Sequence, residues 1–449
     1  MNDAPSDSQR YPTLTVEGKR MLDFMREHPA APIYRNRSGN KLTAAEVDEL
    51  RLFEQEIQDA VVGWPQQGTP PWLAAFVAQT FATVPYYQEL GSPPRCFDAI
   101  PAVSRADFAA DIARFVPDCV ELDRLINFRT TGTTGHPLLI ASHPLVAGRY
   151  LAFHKRALRR FGIELTHGAG QVGVVLLGHQ RKCFTYVSVT PTMGESGLAK
   201  INLHPDDWHH PDDRARYLDA LAPEIYAGDP ISFAEFLQLP LTTQPRALMS
   251  VSMMLLPGLR KQLEQRFGCP VLDIYSLNEV GPVGVFDEAA GGHVLLQPNL
   301  YVEILDREGR PVAHGERGEI TLTGGFNFCL PLLRYRTGDH ASMSFGVDAP
   351  VLVGLSGRSP VRFRVESGNW INNIDVTHAL HPLALPHFGL HQAADGSIVL
   401  RLAAGSLALA DAARKLLQPL FGAQTIKIDI LMAEDKTIQY TSGLDGAVA

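Results

Sequence analysis

Between Gln171 and Tyr275 the chain alternates short apolar runs with amphipathic ones, and this alternation restricts the fold more than any other feature. Gln171–Leu177 (QVGVVLL) is an almost unbroken apolar run, as a strand covered on both faces requires. Glu224–Ala227, Arg246–Val251 and Val271–Tyr275 predict further strands. Helices near Phe233–Leu237 and over Gly258–Phe267 fall between them, the second stopped by Gly268. Such a series predicts an α/β fold with a parallel sheet, whose ligands bind beyond the carboxyl ends of the strands. Ser276-Leu-Asn278-Glu279-Val-Gly281 lies at one such end.

The flanking regions read differently. Upstream, Thr43-Ala-Ala-Glu46 forms a capping box that opens a helix with Val47, Leu50, Ile57 and Val61 at helical spacing. Pro70-Pro71 opens a second helix, Ser104 with Asp107 caps a third, and Pro144–Arg160 reads as a fourth. An early helix is expected near Gly18–His28. Downstream, Tyr301–Leu305, Glu319–Thr323 and Leu332–Tyr335 alternate at period two and predict a small antiparallel β subdomain. Gly354-Leu-Ser-Gly357 reads as a hinge before a compact α+β segment. That segment carries a hairpin at Asp395-Gly396 and a helix over Leu407–Gln418 stopped by Pro419. Residues 1–356 are therefore expected to form one large domain with several subdomains, and 357–449 a small mobile one.

Composition narrows the function classes. With 449 residues, 45% of them hydrophobic, the chain can bury more than one core. A formal net charge of −8 offers no general attraction to nucleic acid or to an anionic membrane. The five cysteines (Cys96, Cys119, Cys183, Cys269, Cys329) are widely spaced without a C-x-x-C pair, which suits reduced thiols better than a disulfide framework or a zinc site. No apolar run reaches membrane-spanning length, so a soluble, cytoplasmic protein is expected.

Two further stretches stand out. Thr130-Thr131-Gly132-Thr133-Thr134-Gly135-His136-Pro137 has the glycines and hydroxyls with which a loop wraps a polyphosphate, but lacks the Lys-Ser or Lys-Thr pair of a Walker A loop. Alone it reads more readily as a turn or linker than as a ligand site. His204-Pro-Asp-Asp-Trp-His-His-Pro-Asp-Asp213 offers metal-ligating residue types, yet successive loop residues rarely converge on one ion. Capping of the next helix by Asp212 or Asp213 is the simpler reading.

The Thr/Gly loop, Asp273-Ile-Tyr-Ser-Leu-Asn-Glu279, Pro331-Leu-Leu-Arg-Tyr-Arg-Thr-Gly-Asp339 and Gly357-Arg358 occur in the order used by adenylate-forming enzymes. The sequence resembles that AMP-binding superfamily and, within it, the phenylacetate–CoA ligase family, from about residue 80 onward. The resemblance implies an ATP-dependent ligase that converts a carboxylic acid, aryl or arylacetic, to an acyl-adenylate and passes it to CoA. It further implies that Thr130–His136 hold the triphosphate, that Glu279 ligates Mg²⁺, and that Ser276 and Asn278 belong to the same ATP site. Tyr275 would stack on adenine, Asp273 accept from its amino group, Asp339 hold the ribose hydroxyls, and Arg358 support that region. Lys436 occupies the position of the family's late lysine, which steadies the α-phosphate; Glu279 and Lys436 are thus the candidate catalytic residues.

The sequence departs from the family in three places: His136 replaces a loop lysine, Pro360 replaces a hinge aspartate, and Lys436 lacks the usual Gly and Arg neighbours. These departures keep other readings open, namely an amine or a carrier-protein thiol as acceptor, or a nucleotide-binding protein without catalysis. The acid pocket is expected beside the helix carrying Tyr150 and Phe153 and the turn at Gly178, with Tyr186 beyond it. The same aromatics read equally as core. A homodimer would be unsurprising for this family, and neither nucleic acid nor a membrane is an expected partner.

Overall fold

The computed structural model describes residues 5–66, 68–129, 139–179, 183–346, 348–356, 361–380, 382–383, 385, 388–432 and 440–444. Its centre is the expected parallel array, enlarged by Ser196–Asn202, a strand that no expectation above covers. Ser196–Asn202, Val172–Gly178, Ile225–Gly228, Ala247–Ser250 and Val271–Leu277 lie side by side in that order, every neighbouring pair parallel. Six of the seven residues of Val172–Gly178 are buried, because helices cover both faces.

The antiparallel region is not a separate sheet. Val271–Leu277 turns directly into Gly281–Asp287, which pairs with it antiparallel, and the ladder continues through Gly292–Leu295, Pro350–Ser356, Leu332–Phe345, Gly318–Gly324 and Leu300–Leu305. The result is one sheet of thirteen strands. Strand period reveals three of these segments, Leu300–Leu305, Gly318–Gly324 and the start of Leu332–Phe345, whereas Pro350–Ser356 takes up Gly354–Ser356 of the expected hinge, and the hydrogen bonds that fuse the two halves are long-range and leave no local mark.

The helices form where their caps lie. Thr43 caps Ala44–Asp59 in a reciprocal box with Glu46, and Pro144–Arg160 begins at its N-terminal proline. These two helices pack on each other, and the second also packs on Gly281–Asp287, burying Phe153 and Leu158. Ser104 and Asp107 form the expected box, but Arg105–Ala110 is short and gives way to a 3-10 turn at Ile112–Phe115. Just before it, Val103 and Ser104 add a two-residue parallel strand beside Tyr335 and Arg336. An upstream segment is thereby bonded to the Arg-Tyr-Arg-Thr-Gly-Asp run.

Two local expectations are corrected. Neither Asp212 nor Asp213 caps Asp213–Leu221 through its side chain: Asp213 is 2% exposed and pairs with Arg216 at 3.0 Å. Asp207 of the same run is also buried, receiving a 2.7 Å hydrogen bond from Asn202 and pairing with Arg35. Pro419 does not stop its helix, which spans Ala410–Phe421. Phe421 is fully buried in the C-terminal core, and its burial offsets the one backbone bond that the proline removes. That core lies against a second sheet, Ile426–Ile430, Ile398–Leu402, Phe388–Gln392 and Tyr440–Ser442. Among the described residues no helix is long and apolar enough to cross a membrane.

Candidate active site

The site is built where the parallel array ends and the chain reverses, over residues 275–282. Two side chains from distant elements fix this reversal. The Tyr150 hydroxyl donates to the Asn278 carbonyl at 3.1 Å. Gln297, 2% exposed, donates through Nε2 to the carbonyls of Val280 (2.8 Å) and Pro282 (2.7 Å). Gly281 has φ +73°, and a Cβ there would lie 2.7 Å from the Phe326 ring and 3.1 Å from Tyr150. Only glycine suits that backbone and that approach.

Glu279 follows at once and is 4% exposed. The Tyr335 hydroxyl donates to its Oε1 at 3.0 Å, and the Arg105 guanidinium lies 3.6 Å from the same oxygen. Both partners are held by the parallel bridge at Val103–Ser104, and Phe108, on the helix Arg105–Ala110, stacks on Tyr335 with 4.9 Å between centroids and 8° between planes. Burial, and then the neighbouring carboxylate, push the Tyr335 phenol well above its ordinary range, so it remains a donor. Arg105, Tyr335 and Gln297 have no assigned role in the motifs. Tyr335 was visible inside the Arg-Tyr-Arg run, whereas Arg105 and Gln297 carry no sequence signal.

The Tyr275 hydroxyl donates to Asp339 Oδ2 at 2.8 Å. The turn bearing Asp339 is itself fixed: its N–H donates to Thr337 Oγ1 (3.0 Å), Gly338 N–H donates to Glu319 (2.9 Å), and Arg336 pairs with the same Glu319. Asp273 and Tyr275 lie on one face of their strand, and His293 of the strand Gly292–Leu295 faces both. Burial pushes the Asp273 carboxyl up to about 7 and the His293 ring down to about 3. Ser276 is half-buried beside these groups and Asn278 is exposed.

Thus Asp273, Tyr275, Ser276, Asn278, Glu279, Asp339 and Tyr150 come together. Phe153 is adjacent but faces the core, against Phe53 and Phe326. It also lines a cavity of about 500 Å³, walled by Phe53, Phe76, Phe326 and Phe328 and edged by Arg149. Gly178 and Tyr186 are not part of this group. Tyr186 is on the edge strand Tyr186–Thr190, five strands from Tyr275 in the sheet, roughly 24 Å at the usual strand spacing. Gly178 is three strands away and packs against Cys183. Thr130, Thr131, Gly132, Thr133, Thr134, Gly135, His136, Arg358, Pro360 and Lys436 lie outside the described residues. On either side of the Thr/Gly run in the sequence, Ile126–Arg129 and Leu139–Ser142 pair as antiparallel strands.

Among the described residues no group of three or more His, Cys, Asp or Glu could hold a metal. Mg²⁺, however, commonly takes one carboxylate and completes its shell with water and substrate phosphates. Glu279 fits that mode, because the contacts from Tyr335 and Arg105 both fall on Oε1 and Oε2 is the oxygen a cation would take.

Residues 154–328 match the AMP-binding enzyme family. A phenylacetate-coenzyme A ligase of Escherichia coli (strain K12) is 40% identical over 108 residues, 23% of this chain and 25% of the relative. One from Pseudomonas putida is 35% identical over 107 residues, 22% and 24% of the two chains. The matched stretch therefore spans about a quarter of the length of these curated relatives. Among solved structures, a 2-hydroxyisobutyryl-CoA ligase in the postadenylation state, in complex with 2-HIB-AMP, superposes with a TM-score of 0.59 at 16% identity over 88% of each chain. At that identity the likeness is one of fold.

Proposed function

We infer that this chain, related to the AMP-binding enzymes and over part of its length to phenylacetate–CoA ligases, activates a carboxylic acid with ATP and transfers the acyl group to CoA. The observation that carries this reading is the convergence of Tyr275, Asp339 and Glu279 at one reversal of the sheet. An aromatic face, a ribose-binding carboxylate and a carboxylate for a hard cation are what Mg·ATP needs within one site.

The chemistry follows from the weakness of a carboxylate as acyl donor. One carboxylate oxygen attacks the α-phosphorus, the bond to the bridging oxygen breaks, and pyrophosphate leaves with that electron pair. The CoA sulfur then attacks the acyl carbon and AMP departs. The first step is catalysed mainly by positioning and by stabilising negative charge. In this reading Thr130–His136 cradle the triphosphate and Tyr275 stacks on the base, whose amino group Asp273 accepts. Asp339 takes the ribose hydroxyls and Arg358 supports them, while Glu279 holds Mg²⁺, which neutralises phosphate charge when bound. Lys436 meets the α-phosphate when residues 357–449 close over the site, and the same segment turns for thiol transfer. An aryl or arylacetic acid is the favoured substrate class, since the phenylacetate–CoA ligases are the curated relatives and Tyr150, Phe153 and Phe326 stand beside the reversal.

ATP–pyrophosphate exchange across a panel of aryl acids tests the first step. Exchange that appears with one acid class supports the reading; a protein that binds ATP but exchanges with no acid refutes it and leaves the non-catalytic nucleotide binder. Pro360 favours a second reading for the acceptor, because a fixed φ at the pivot restricts the turn needed for free CoA. Exchange without acyl-CoA formation would identify an amine or carrier-protein thiol instead.

A further inference from the structure

We propose that His293 is the positioning residue that sets base selectivity at this nucleotide site, confining the Asp273 carboxyl and the Tyr275 ring in the arrangement that accepts adenine. The proposal rests on the nucleotide reading above and adds a residue that no motif marked.

His293 is 8% exposed on the strand Gly292–Leu295, paired with Phe286 on one side and Leu352 on the other. Its ring meets Phe286 at 5.4 Å between centroids and 67° between planes, and Tyr275 at 6.4 Å and 74°, both edge-on. Its Nε2 lies 3.8 Å from Asp273 Oδ2. That separation exceeds a hydrogen bond, so in the free protein the ring confines the carboxyl instead of binding it. Gly284 opposite makes room for His293, since a Cβ there would lie 3.2 Å from the His293 Cβ. The ring is thus wedged, and its polar edge is turned to one carboxyl.

A wedged imidazole at this position serves selectivity more than packing. A phenylalanine would fill the same space between Phe286 and Tyr275 but would present no polar edge to Asp273. Burial keeps the ring neutral at physiological pH, with one N–H to direct. Directed at Asp273, it leaves the carboxylate as an acceptor for the exocyclic amino group of adenine. Guanine presents a carbonyl oxygen at the corresponding position, and two acceptors facing each other are rejected.

The test compares ATP and GTP binding to the full chain, by calorimetry with Mg²⁺ and without acid, for wild type, His293→Phe and His293→Gln. Wild type should prefer ATP. His293→Phe keeps the wedge, so its melting temperature should remain near wild type while the ATP-to-GTP ratio falls about tenfold, the worth of one hydrogen bond at a buried site. His293→Gln, which restores an N–H, should recover part of the ratio. A purely structural residue would weaken both nucleotides alike, and an unchanged ratio in His293→Phe overturns the proposal while leaving the proposed function intact. A wild type that binds neither nucleotide refutes both.

Discussion

Replacing Tyr335 with Phe removes one oxygen and little else. The ring is 1% exposed and stacked on Phe108, and both properties persist in the variant. What disappears is the 3.0 Å hydrogen bond to Glu279 Oε1. The remaining partner, Arg105, lies 3.6 Å away, beyond a direct hydrogen bond. Glu279 is 4% exposed, so water replaces the donor poorly. A hydrogen bond to a charged group contributes roughly 1.5–3 kcal/mol, and a buried acceptor left without its donor places the loss at the upper part of that range. Equilibrium urea unfolding should therefore show a loss of about 2–3 kcal/mol in the transition that includes the large sheet. With its carboxylate no longer held, Glu279 should also demand several-fold more Mg²⁺ for nucleotide binding, read by titrating Mg²⁺ at fixed ATP. A loss below about 0.5 kcal/mol together with an unchanged Mg²⁺ titration would refute the reasoning, because surface-like substitutions lie within that margin.

Three further outcomes are expected. Gly281→Ala forces a Cβ to 2.7 Å from Phe326 at φ +73°, so it should destabilise by more than about 1 kcal/mol and weaken ATP binding, since the displaced backbone carries Glu279; calorimetry against wild type checks both. Arg334→Met leaves the buried Glu303 without its partner (the pair is 3–4% exposed), so that its carboxyl, which burial already pushes up to about 7, takes up a proton, and it removes donors to the carbonyls of Asp98 and Ile100, for a loss of about 3–5 kcal/mol; adding Glu303→Leu should recover part of it in denaturant unfolding. For Asp273 the folded pKa is raised from 3.8 to about 7, so ionisation opposes folding: the penalty is absent below pH 4, grows between 4 and 7, and is complete above 7. The stability of Asp273→Asn relative to wild type should rise across that window by up to about 4 kcal/mol and then level off; a difference independent of pH would contradict the burial of this carboxyl.

Much of the site was legible because its residues are clustered along the chain. Asp273, Tyr275 and Glu279 sit within seven positions, and period-two spacing alone puts Asp273 and Tyr275 on one face. Asp339 was legible from the run that contains it, although not its hydrogen bond to Tyr275. The pocket residues were less legible. Tyr150 and Phe153 share a helix, but Phe153 turns to the core, while Tyr186 is linked to them only by its aromatic character and Gly178 only by the turn that precedes Tyr186, neither of which records strand order. His293 was missed because a single histidine in an apolar run reads as core, and its partners are twenty and eighteen positions upstream.

The sequence by itself determined the capped helices, four of the five parallel strands at the centre, and which carboxylates and ring stand at the end of Val271–Leu277. Those properties depend on side-chain period, caps and glycines, all of them local. Tertiary structure decided what surrounds that end: the two-residue bridge from Val103–Ser104 that brings Arg105 to Glu279, the Tyr335 hydroxyl on the same carboxylate, Gln297 beneath the reversal and His293 beside Asp273. Hydrogen bonds between residues far apart in the chain are selected by the packing of the whole sheet, and no local pattern records which partner will be chosen.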